Sequence, residues 1–153
     1  MKLEPSISSR KIKEIMSQDL VLVAPGDPLM VAWQKMHDND IKHLVVVEKE
    51  KLCGVLSDRD ILCELSFHEN IGHLKPHTCE YAMNPNVQSA GENEPLSNVV
   101  KKMLEHKIHS VVVVDSDNVP VGIITDFDLL SVLEWALDAP RQEIIDAEAE
   151  VRA

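Results

Sequence analysis

Apolar residues fall into two alternating kinds of run. The first is short and unbroken: Leu20 to Val23, Leu44 to Val47 and Val112 to Val114. Each is bounded by charged or turn-forming residues, the pattern of a buried strand. The second recurs every three or four positions. Ile12, Ile15 and Met16 predict a short helix over 10–16, and Leu29, Ala32, Trp33 and Met36 predict a helix ending near Asp38. Asp27 stands at the N-cap position of that helix, Pro28 at its first residue, and Asn39 and Asp40 at its end. Leu52 to Leu56 returns after the charged turn 48–51 as the hairpin partner of the second strand, and Ser57 caps a further helix to about Ser66.

This programme occurs twice. Met83 matches Met16, Pro95 matches Pro28, Lys102 and Met103 match Lys35 and Met36, and Ile108 matches Ile41, all 67 residues apart. Beyond the second hairpin the offset is 68, pairing Gly54 with Gly122, Ser57 with Thr125, Asp58 with Asp126 and Asp60 with Asp128. The one-residue insertion falls between Asp115 and Pro120, where a hairpin loop accommodates it. The expected fold is therefore α/β (α+β): two small units, each a short sheet packed with helices, related by a pseudo-two-fold axis with clefts between them. The boundaries read as 8–66 and 78–138 for the units, 67–77 for the connection, and 139–153 for an acidic C-terminal helix after Pro140.

Composition narrows the function. Apolar residues make up 44% but aromatics only 3%, so Val, Ile, Leu and Met must fill the core. A net charge of −11 argues against a nucleic-acid partner, because phosphate neutralisation needs Lys and Arg. No apolar run reaches membrane-spanning length and no signal-like start is visible, which predicts a cytoplasmic protein with no membrane role. Cys53, Cys63 and Cys79 lack disulfide or zinc-ribbon spacing, and Cys53 and Cys63 read as buried thiols. His68, His73, His77 and Cys79 offer metal-ligand chemistry at no standard spacing, so no metal is expected. Trp33 and Trp135 sit at apolar helical positions suited to the core or a dimer seam. No nucleophile, base and orienter stand at catalytic spacing, and no enzyme activity is expected.

The segments 54–62 and 122–130 carry glycine, apolar residues, Ser or Thr, then Asp three positions on. This grammar resembles that of tandem cystathionine-β-synthase-type (CBS) domains, the Bateman module, over roughly 8–137. The resemblance implies a regulatory, energy-sensing homodimer that binds adenosine-containing ligands, AMP, ADP or ATP foremost, between its repeats. It implies no obligatory cofactor, and an unknown partner protein is expected to read the ligand state. It also assigns ribose contact to Asp60, Asp128, Ser57 and Thr125, phosphate contact to Lys42, His43, His109 and Arg59, and the adenine pocket to the first strands around Val21 and Val87. Ser110 stands where relatives often carry Arg, and Phe127 where the first repeat has Arg59, so the two clefts are expected to differ. On spacing alone, Ser57 with Asp60 and Thr125 with Asp128 read equally as helix-capping boxes. The alternative functions are a ligand-free dimerisation scaffold or a metal- or redox-responsive protein.

Overall fold

The computed structural model describes residues 10–68 and 77–138, with the side chains of Phe67, His68 and Asp138 excepted. His73, the connection 69–76 and the acidic tail lie outside the described residues. A 3₁₀ turn, Ile12–Glu14, precedes β1 (Leu22–Val23), α1 (Leu29–Asp38), β2 (His43–Glu48), β3 (Lys51–Ser57) and α2 (Asp58–His68). The second unit follows with α3 (Cys79–Ala82), β4 (Ser89–Gly91), α4 (Leu96–His106), β5 (Ser110–Val114), β6 (Pro120–Thr125) and α5 (Asp126–Asp138). Each unit holds a three-stranded sheet, β1-β2-β3 or β4-β5-β6, whose first pair is parallel and second antiparallel. Val45, Val46, Val111, Val112 and Val113 are buried, as expected of central strands covered on both faces. Among the described residues no helix is long and apolar enough to cross a membrane.

Each sheet is bulged at the same place, between Val46 and Val47 and between Val113 and Val114, opposite Gly54 and Gly122. The glycines serve close approach. A Cβ at Gly54 would stand 2.5 Å from Met83 Sδ, and one at Gly122 would collide with Met16 Sδ and lie 3.1 Å from the Ser17 carbonyl oxygen. The matched Met and Gly residues thus touch, but crosswise, each Met meeting the Gly of the other unit.

That crossing governs the architecture. Ile12 and Met16 pack into the core of the second unit with Val99, Met103, Val111 and Ile124, whereas Cys79 and Met83 pack against that of the first with Leu29, Leu44 and Leu56. Symmetric backbone bonds hold the exchanged segments. Leu29 N–H donates to His77 O (2.8 Å) and Leu96 N–H to Arg10 O (2.9 Å). Cys79 N–H donates to Asp27 O (2.9 Å) and Ile12 N–H to Glu94 O (3.1 Å). Elsewhere the hairpin tips meet: Leu52 N–H donates to Asn118 O (3.0 Å) and Lys51 Nζ to Asp117 O (2.6 Å). The inserted residue therefore lies in a loop that docks onto the first hairpin.

Several local expectations are revised. The helix expected over 10–16 is a single 3₁₀ turn, because its apolar residues are spent on the other unit's core. The α1 N-cap is Pro28, and Asp27 instead accepts a hydrogen bond from Ala24 N–H (2.9 Å), closing the turn before it. Trp33 is partly exposed despite its inward spacing, and Cys63 is exposed on α2 while Cys79 is the buried thiol. Trp135 is half exposed, with the Arg10 guanidinium 4.5 Å from its ring centroid.

Candidate functional site

β3 and β6 each end in the hydroxyl residue that starts the next helix. Asp60 Oδ2 accepts from Ser57 N–H (2.8 Å) and Ser57 Oγ (2.6 Å), while Asp60 N–H donates back to Ser57 Oγ (3.2 Å). Asp128 Oδ2 likewise accepts from Thr125 N–H (2.7 Å) and Oγ1 (2.9 Å), and its own N–H lies 3.4 Å from Thr125 Oγ1. These are reciprocal capping boxes. They engage one oxygen of each carboxylate. The other, Oδ1, accepts no hydrogen bond from a described residue, and both aspartates are only half buried.

The helix starts are also tied to the turns before β2 and β5. Asp58 N–H donates to Lys42 O (3.1 Å) and Asp126 N–H to His109 O (3.1 Å). Asp58 Oδ1 accepts from Arg59 N–H (2.8 Å), and Asp126 Oδ2 lies 3.0 Å from His109 Nδ1. The His109–Asp126 pair is more than half exposed, so solvent screens it.

His43 links the two halves. Burial lowers its pKa from the usual 6.5, opposed by the negative fields of Asp126, Asp58 and Asp60, while His109 adds to the lowering. One imidazole of the first unit thus feels the charges of Asp126 and His109 of the second. Lys42 and Arg59 are exposed and form no ion pair with a described residue.

The expected adenine-side residues are less symmetric than the sequence reading supposed. Val21 directly precedes β1, and its carbonyl accepts from Val45 N–H (3.3 Å). Val87 lies two residues before β4, and the 67-residue offset makes Gln88, not Val87, the counterpart of Val21. Both valines are half buried outside the strands. The matched lysines prove structural: Lys35 Nζ donates to Leu22 O (2.8 Å) and Lys102 Nζ to Ser89 O (2.7 Å), tying each first strand to the following helix.

A cavity of about 390 Å³ in the second unit is lined by Val100, Met103, Leu104 and Lys107 together with His109 and Asp126. It touches neither Thr125 nor Asp128. Trp33 occupies the position matching Val100 in the first unit (100 − 67 = 33). Among the described residues no cluster of His, Cys, Asp and Glu is arranged to hold a metal ion. Burial pushes the Cys79 thiol up to about 11, the behaviour of a packing residue.

Sequence reasoning left Asp58 and Asp126 without a role. Their match at offset 68 was the available signal; the β2–β3 hairpin brings Asp58 beside His43 within the first unit, whereas the influence of Asp126 on His43 depends on the two units meeting.

A family model described as CBS domain matches residues 12–66 and 79–134, both units. The uncharacterized protein MJ1404 of Methanocaldococcus jannaschii is 32% identical over 125 residues, 78% of this chain but only 27% of that protein. The CBS domain-containing protein YhcV of Bacillus subtilis is 27% identical over 118 residues, covering 77% of this chain and 81% of YhcV. The crystal structure of the CBS domain pair of protein MJ0100, in complex with 5′-methylthioadenosine and S-adenosyl-L-methionine, superposes with a TM-score of 0.76 at 29% identity, covering 83% of this chain and 98% of that one.

Proposed function

The chain belongs to the CBS domain family, and from that premise we propose that its clefts bind an adenosine-containing ligand and that ligand occupancy is read by a partner protein. The observation that carries this reading is the pair of capping boxes. In each, the aspartate is fixed through Oδ2 and keeps Oδ1 for a ligand. A preorganised carboxylate accepting from the cis-diol of a ribose forms charge-assisted hydrogen bonds at little ordering cost. Asp60 and Asp128 take that role, assisted by Ser57 and Thr125, with the backbone near Val21 and Val87 beside the adenine. The bound ligands of the MJ0100 domain pair, both adenosine derivatives, support the same chemistry.

The mechanism is a population shift. A ligand touching both units favours one inter-unit geometry, and the exchanged segments 10–17 and 77–84 carry the change, since each is anchored in the opposite core. The reading includes a homodimer. Leu104, Phe127, Leu130 and Leu137 leave large apolar side chains in solvent on α4 and α5, a surface that a second copy would cover. No step of this mechanism makes or breaks a covalent bond.

Calorimetry of the ligand-stripped protein with adenosine and its 5′ derivatives tests the binding. Absence of heat from every compound, with the fold intact, would leave the repeats as a ligand-free scaffold in which the capping boxes serve stability alone.

A further inference from the structure

The two units turn the same backbone after α1 and α4 but hang different side chains on it. Asp40 and Lys107 both adopt the left-handed conformation, with φ of 51° and 53°. The residues that follow, Ile41 and Ile108, donate their N–H groups back to Met36 O (3.0 Å) and Met103 O (3.1 Å). On that shared frame Trp33 is matched by Val100, His37 by Leu104 and Asp40 by Lys107, all at the 67-residue offset. In the second unit an indole is thus replaced by a far smaller side chain, a polar ring by an apolar group, and an anion by a cation.

All three differences fall on the lining of the cavity of about 390 Å³ in the second unit. Val100, Met103, Leu104, Ile108 and Leu129 form its apolar wall, and its volume is that of a small-molecule site. Leu104 is 74% exposed, so an apolar ligand there would remove hydrophobic surface from water. Two polar lining groups already face each other, His109 Nδ1 and Asp126 Oδ2 standing 3.0 Å apart. Lys107 is different: its ammonium forms no hydrogen bond or ion pair with a described residue.

We infer that this cavity binds a small hydrophobic monocarboxylate, with its apolar body against the Val100, Met103 and Leu104 wall and its carboxylate paired with Lys107. The wall supplies the affinity, and the unpartnered ammonium supplies the preference for an anionic head over a neutral or cationic one. Asp126, which would repel a carboxylate, already has His109 as its partner. The first unit rejects the same ligand, since Trp33 stands where the body would lie and Asp40 where the head would pair. The site goes beyond the adenosine reading and is independent of it, because neither Thr125 nor Asp128 lines the cavity.

The test is calorimetry near neutral pH with octanoate, octanol and octylammonium on the full chain, comparing the wild type with Lys107→Met and with Val100→Trp, which copies the first unit's own side chain. Octanoate should bind at a single site per chain and most tightly of the three. Lys107→Met should weaken octanoate by about two- to fivefold, the range of a solvent-exposed ion pair, and leave octanol unchanged. Val100→Trp should abolish binding of both. Leu104→His, also copied from the first unit, repeats that test at an exposed position should Val100→Trp not fold. Absence of octanoate heat from correctly folded wild type overturns the inference, as does equal affinity for octylammonium, or unchanged binding in the variants copied from the first unit. A wild type that gives no octanoate heat but sediments as a dimer, made monomeric by Val100→Trp, would assign the hollow to a second copy of the chain instead. Adenosine titrations of the same proteins read the other proposal separately.

Discussion

Asp128→Asn separates the two jobs proposed for one side chain. In the wild type, Oδ2 accepts from Thr125 N–H at 2.7 Å and Thr125 Oγ1 at 2.9 Å, and Oδ1 is left for a ligand. Asparagine is isosteric. Its amide oxygen can take the place of Oδ2 and keep both cap bonds, which puts the NH2 group where a ribose hydroxyl would need an acceptor. The cap should therefore survive, with folding stability changed by no more than about 0.5 kcal/mol, whereas Asp128→Ala loses the cap and about 0.5–2 kcal/mol. Binding should respond differently. Losing a charged hydrogen bond costs about 1.5–3 kcal/mol, or roughly a 10- to 150-fold rise in Kd for a ligand held at that site, in both variants. Urea titration reads the first effect and calorimetry with 5′-methylthioadenosine the second. Wild-type affinity in Asp128→Asn would refute the ribose role. A stability loss in Asp128→Asn equal to that in Asp128→Ala would refute the geometric account of the cap.

Three other outcomes follow from the packing. Gly122→Ala should destabilise by about 1–3 kcal/mol in urea unfolding and by more than Gly54→Ala, because its new Cβ meets the Ser17 carbonyl as well as a flexible Met side chain; equal or negligible losses would contradict the close approach. Ile12→Ala should cost about 2–5 kcal/mol and reduce hydrogen-exchange protection in β4–β6 before β1–β3, although Ile12 precedes β1 in the chain; the opposite order would contradict the exchanged packing. Because burial holds the His43 pKa below its unfolded value of 6.5, the unfolded state takes up the proton first as pH falls. Stability should then be constant above that value and decline as pH drops through and below it, and His43→Gln should flatten the decline in urea midpoints measured from pH 8 to pH 5.

What the chain determines by itself is local. Strand, turn and cap identities depend on residues a few positions apart, so the runs of Val, Ile and Leu, the 67- and 68-residue offsets and the Ser57–Asp60 and Thr125–Asp128 pairs are legible without coordinates. The helix expected over 10–16 misleads for the same reason: its periodicity signals burial without naming the surface that buries it. Tertiary structure decides the partners. Two similar units offer similar docking surfaces, so the pattern of Ile12 and Met16 is equally consistent with packing on either core, and only the assembled chain sends them to the second and Cys79 and Met83 to the first. The same holds for the cleft. Asp58 is brought beside His43 by the hairpin of its own unit, and Asp126 beside His109 by that of the second, whereas Asp126 and His109 act on His43 only once the two units face each other.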